Sequence, residues 1–101
     1  MRLAWSARAE HDLMSLRAYI AQDSPRYAAQ FIARLIHAVE QLPVFPRRGR
    51  VVPEVNQDSL RELIFHGYRI LYRLENDSLQ IVTVVHGTRD LAHLQPPAWE
   101  E

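Results

Sequence analysis

The chain has no cysteine and no lysine among its 101 residues. The first absence excludes disulfides and thiolate zinc centres. The second leaves all 12 basic side chains as arginine, each a planar fork suited to carboxylate or phosphate pairing, although genomic base composition gives the same bias. No uninterrupted apolar run reaches the length of a signal peptide core or a membrane span, so the expected setting is the cytoplasm, with no membrane partner. Net charge is also missing, because 12 acidic residues balance the arginines; a uniformly basic nucleic-acid surface is excluded. His11 and His37 lack metal-ligand spacing and no phosphate-loop or calcium motif occurs, so no metal and no cofactor is expected. The length suits one small core. Residues 1–101 read as a single domain, with the acidic, proline-broken stretch 92–101 as a flexible tail.

What is present is unevenly placed. Residues 47–73 hold 6 arginines against 3 acids, whereas residues 74–101 hold 1 against 5. The basic part is the middle of the chain, beginning at "RRGR" (Arg47, Arg48, Gly49, Arg50).

"MRLAWS" reads as a short strand closed by Ser6, a helix N-cap. In the helix that follows, Ala9, Leu13, Leu16 and Ile20 form one buried stripe, and Arg8, Asp12 and Arg17 are expected to point away. Ser24 caps a second helix with Pro25 at its first position. Its stripe runs through Phe31, Leu35 and Val39 to Leu42, and Pro43 ends it. So short a link makes an antiparallel helix hairpin. Residues 43–59 lose periodicity and read as a surface loop. Three strand candidates follow, 60–65, 68–75 and 79–86, joined by turns at His66-Gly67 and Asn76-Asp77-Ser78. The expected fold is α+β, in the order β-α-α-β-β-β, with the helix hairpin on one face of a mainly antiparallel sheet. Alternation along the middle strand sends Tyr68, Ile70, Tyr72 and Leu74 to the helix side and Arg69, Leu71 and Arg73 to the other.

The opening strand with "WS", the hairpin broken at "SP", then "FPRRGRVVPE", "RELI", "YRILYRL" and "VVHGTRD" in order resemble the RelE/ParE superfamily of toxins from type II toxin-antitoxin modules. The resemblance covers nearly the whole chain. It implies a toxin neutralised in a hetero-oligomer with a cognate antitoxin. Two targets occur in that superfamily: ParE-like members poison DNA gyrase, and RelE-like members cut messenger RNA on the ribosome. A small interaction module without a lethal target is a third reading.

For RNA cleavage, which needs a base, an acid and positive charge at the phosphate, the resemblance nominates Glu54, Arg69, His86 and Arg89 as catalytic. For target or phosphate binding it leaves Arg47, Arg48, Arg50, Arg61, Arg69, Arg73 and Arg89. The strand before "YR" carries Glu62 where RelE-like nucleases use lysine, and the wording as a whole is closer to the ParE-like branch. Each candidate also has a structural reading. Glu62 can pair with Arg69 across strands, Glu54 can be a plain loop carboxylate, His86 can simply end a strand, and Arg89 can pair with Asp90.

Overall fold

The expected architecture is present in the computed structural model, which describes residues 1–88 and 91. β1 (Arg2–Trp5) leads into α1 (Ala7–Ala21) and α2 (Pro25–Glu40); β2 (Arg50–Val51), β3 (Leu60–Phe65), β4 (Tyr68–Leu74) and β5 (Ser78–His86) follow. Among the described residues the strands form one sheet in the order β1-β5-β4-β3-β2. β1 runs parallel to β5, and the other neighbours are antiparallel. The proposed tail, 92–101, lies outside the described residues.

Both helix starts follow from their caps. Ser6 Oγ accepts from Ala9 N at 3.0 Å and donates to Val82 O at 2.8 Å, so one hydroxyl starts α1 and ties it to β5. Ser24 Oγ accepts from Tyr27 N at 3.1 Å, with Pro25 in the first turn. The helix hairpin covers one face of the sheet, where Leu35 and Val39 of α2 meet Ile70 and Tyr72 of β4 and Leu79 and Ile81 of β5. Leu42 joins this core from beyond the helix, which ends at Glu40.

The β3–β4 turn is the two-residue type that the twist of a hairpin favours. His66 and Gly67 both have positive φ, 46° and 85°, between the closing pair Phe65 and Tyr68.

Two expectations are corrected. Asp12 does not point away: its carboxylate accepts from Thr83 Oγ1 and from Val84 N (3.1 Å), fastening α1 to β5 beside an irregularity in the β4–β5 register at Leu71/Tyr72. Periodicity alone placed it on the polar side, but a buried backbone N–H needs an acceptor. The 43–59 loop also contains β2, whose Arg50 and Val51 pair with Glu62 and Arg61; two residues are too few to show a period.

The outer face has its own small core. Val52, Leu60, Leu71, Val82, Val85 and Leu91 cluster there, with Val55 packed against them. The loop after β2 is therefore folded down onto the sheet and carries Glu54 with it.

Candidate functional site

β4 pairs with β3 without interruption from Leu60–Arg73 to Phe65–Tyr68, so Arg69, Leu71 and Arg73 share the outer face as alternation requires. Arg69 is held between two carboxylates. Its Nη1 and Nη2 each lie 2.8 Å from an oxygen of Glu54, and its Nε lies 2.8 Å from Glu62 Oε1. Arg50 Nε donates to the other oxygen of Glu62. The Glu62 side chain is 0% exposed and that of Arg69 8%, so this pair is buried, while Arg50 and Glu54 join it from the surface.

Glu54 reaches Arg69 through a turn that the sequence did not advertise. Asn56 closes it, with φ 56° and its N–H donating to Val52 O at 2.8 Å; asparagine is among the few residues that enter the left-handed region readily. The hydrogen bonds from Arg69 hold the Glu54 carboxyl below its ordinary value of 4.5. The same bonds, with Glu62 adding to them, keep the Arg69 guanidinium charged at any working pH. A carboxylate with a depressed pKa and both oxygens engaged is a poor general base.

Because Glu54 is easier to ionise folded than unfolded, its contribution to stability is complete above about pH 4.5 and is lost as pH falls through the lower folded value. Glu54→Gln is therefore expected to be less stable than wild type at pH 7, with the gap in urea midpoint closing below pH 4.5. A gap that stays constant as the pH falls well below 4.5 would contradict the assigned bond.

The basic loop is anchored from beneath. Tyr72 is fully buried; its hydroxyl donates to Pro46 O at 2.8 Å and accepts from Gly49 N at 2.9 Å. Arg61 Nη1 donates to Gly49 O at 2.9 Å, while its Nε and Nη2 bond Asp58 O (3.0 Å) and Oδ1 (2.7 Å). Arg47 pairs with Asp58 at 2.7 Å, and the two arginines hold the Asp58 carboxyl below its usual range. Gly49 has no room for a side chain, since a Cβ would meet Glu62 O at 2.5 Å and the Tyr72 hydroxyl at 2.6 Å. Tyr72 and Asp58 were not nominated from sequence; a glycine inside an arginine run was the available sign of a close backbone approach.

The remaining candidates lie elsewhere. His86 is exposed on the helix side of the sheet, its ring 5.4 Å from that of Tyr68 and tilted 80° to it. Its Nδ1 accepts from Thr88 N at 3.2 Å, which in the neutral ring leaves the proton on Nε2. Tyr68 itself packs on Phe31 of α2 at 5.9 Å. The side chains of Glu54 and His86 thus lie on opposite faces of the sheet, although His86 directly follows Val85, the cross-strand partner of Arg69. Arg48 is exposed and Arg73 half-buried. Arg89 and Asp90 lie outside the described residues. Among the described residues no cluster of histidine and acidic side chains has the form of a metal site, and no helix is long and apolar enough to cross a membrane.

Comparison with known proteins gives a consistent answer. The family model described as "ParE toxin of type II toxin-antitoxin system, parDE" matches residues 3–91. The Sinorhizobium fredii protein Y4kP is 38% identical over 98 residues, covering 95% of this chain and 93% of its own. Toxin RelE2 of Caulobacter vibrioides is 35% identical over 89 residues, covering 87% and 97%. A solved chain titled "Chromosomal ParDE TA system from P. aeruginosa" superimposes with a TM-score of 0.72 at 20% identity, covering 85% of this chain and 95% of that one; at that identity the likeness is one of fold.

Proposed function

The chain belongs to the ParE toxin family of type II toxin-antitoxin systems, and from that premise we propose that it arrests growth by inhibiting DNA gyrase rather than by cleaving RNA. The toxin class and an antitoxin partner come with the family; the target is the further step. Gyrase is a cytoplasmic enzyme, so the toxin acts in the cytoplasm and is silenced there in a hetero-oligomer with its antitoxin.

The observation that carries this reading is the state of Glu54. The carboxylate nominated as the base of a nuclease has both oxygens on Arg69, and Arg69, nominated for the phosphate, is spent on Glu54 and Glu62. General acid-base catalysis needs a group within reach of the proton it moves and with a pKa near the working pH. Glu54 departs from the second requirement, and the His86 side chain faces the other side of the sheet from Glu54. Glu62 adds a buried carboxylate beside Arg69, and a negative group there opposes binding of a phosphate to that arginine.

Induction in cells is expected to cause growth arrest with DNA breaks and SOS induction, while total messenger RNA stays intact. Glu54→Ala and His86→Ala, adjusted for any loss of folded protein, are expected to arrest growth like wild type. Arrest with intact DNA and fragmented messenger RNA, abolished by those substitutions, would assign the chain to ribosome-dependent RNA cleavage instead.

A further inference from the structure

Between α1 and the paired ends of β4 and β5 the surface dips into a hollow of about 340 Å3, lined by Asp12, Tyr19, Tyr68 and His86, with the buried Leu16 and Val84 at its base. Its walls are aromatic. Tyr68 and His86 are cross-strand partners whose rings meet at 80° with centroids 5.4 Å apart. Phe31 packs on Tyr68 at 5.9 Å and fixes that corner. Tyr19 stands at the rim, 67% exposed. Burial and the nearby Tyr19 push the Tyr68 phenol above its ordinary value, so the ring stays neutral at any working pH. Asp12 supplies the charge. Its Oδ2 takes both bonds that fasten α1 to β5, from Thr83 Oγ1 and Val84 N. Oδ1 bonds none of the described residues, and none of their buried side-chain oxygens lacks a partner, so Oδ1 is open to water where Asp12 lines the hollow. No arginine is among the described residues that line it.

An open carboxylate oxygen among aromatic rings, over an apolar base, selects an organic cation. Asp12 repels anions, and a divalent metal needs several oxygen ligands where one is on offer. A cation on an apolar stem satisfies the whole hollow. The stem lies over Leu16 and Val84, the head meets the ring faces, and an N–H donates to Asp12 Oδ1 in a charge-assisted bond. A guanidinium suits this better than an ammonium, because it is planar and weakly hydrated and can stack on a ring while donating in its own plane. An antitoxin partner comes with the family whatever the toxin's target. From this charge complementarity we infer that the hollow seats one arginine side chain of the cognate antitoxin, its guanidinium against Tyr19 and the Tyr68–His86 corner and bonded to Asp12 Oδ1. The inference rests on the antitoxin partner and not on gyrase, so failure of the gyrase reading leaves it standing.

The test titrates purified antitoxin into the full chain and its Tyr19→Ala, Tyr19→Phe and Asp12→Asn variants, with growth arrest measured separately in cells that lack the antitoxin. Tyr19 is exposed, so its variants should keep the wild-type thermal midpoint. Asparagine keeps an oxygen for Thr83 and Val84 while removing the charge; if Asp12→Asn nevertheless lowers the midpoint, Tyr19→Ala decides alone. Tyr19→Ala and Asp12→Asn are each expected to weaken antitoxin binding by ~10-fold, and Tyr19→Phe, which keeps the ring face, by less than ~3-fold. Each arginine of the antitoxin is then replaced by alanine in turn. One of these is expected to cause a similar loss and to add little when combined with Tyr19→Ala, as a double-mutant cycle requires of groups in contact. Affinity within ~2-fold of wild type for the folded variants overturns the inference, that change being too small for a cation held by rings and a carboxylate. A loss that couples to no antitoxin arginine also overturns it, because the hollow then takes a different group. Weakened arrest with unchanged antitoxin affinity overturns it in favour of a side chain of the target.

Discussion

Replacing Arg69 with methionine is expected to lower the stability of the fold by about 3–5 kcal/mol, the cost of leaving a buried ionic partner uncompensated. Glu62 is the partner that suffers. Its side chain is 0% exposed, and among the described residues it keeps without Arg69 only Arg50, whose own side chain is 62% exposed. Glu54 suffers less, because its side chain is 32% exposed and water can replace the lost donor. A domain of this size has a total stability of roughly 5–15 kcal/mol, so the loss is a large fraction of it. The thermal midpoint should fall on the order of 15 °C.

The companion variant tells a broken pair from a damaged strand. Glu62→Leu combined with Arg69→Met removes both buried charges, and well-packed apolar replacements for a buried pair are often neutral or better. The double variant is therefore expected to recover much of the loss. A single variant as stable as wild type would show that Arg69 is not holding a buried carboxylate, and the geometric case against a nuclease would lose its main support.

The second large effect is expected at Tyr72. Tyr72→Ala should cost about 3–5 kcal/mol, the usual range for truncating a buried aromatic side chain. Tyr72→Phe keeps the ring and removes only the hydroxyl, which donates to Pro46 O and accepts from Gly49 N. Leaving those backbone groups without their partner costs about 1–3 kcal/mol. The phenylalanine variant loosens the loop held by that hydroxyl, so hydrogen exchange at Gly49 should quicken. Unchanged exchange there would mean that the loop is held by Arg61 alone.

The sequence carried the fold through features that repeat or punctuate. Ser6, Ser24-Pro25 and His66-Gly67 each mark a boundary by a local rule, and the alternation along β4 placed Arg69, Leu71 and Arg73 on the outer face. The pairing of Arg69 with Glu62 was legible too, because residues near one another on adjacent strands can be found from hairpin register. What escaped depends on contacts distant in sequence. Glu54 meets Arg69 only because Asn56 turns the loop back over the sheet, and Asp12 meets Thr83 across 71 positions. β2 is shorter than one period of any pattern, and the Tyr72 hydroxyl has no sequence signature beyond the glycine it abuts.

Those misses change the functional picture. The arginines of the middle segment were candidates for target or phosphate binding. Arg47, Arg50, Arg61 and Arg69 instead each hold a carboxylate of the chain itself. Positive charge spent on internal acids adds little to nucleic-acid affinity, which depends on releasing counterions from phosphates. What the basic loop still exposes is Phe45 beside Val44, with Arg48 nearby.

The most direct measurement is a cleavage assay in which the purified chain is incubated with gyrase, ATP and supercoiled plasmid. Expected is protein-linked linear DNA that rises with toxin and disappears when the cognate antitoxin is added. A preparation that arrests growth but yields no linear DNA, and instead cuts messenger RNA on purified ribosomes, would contradict the assignment of gyrase as the target.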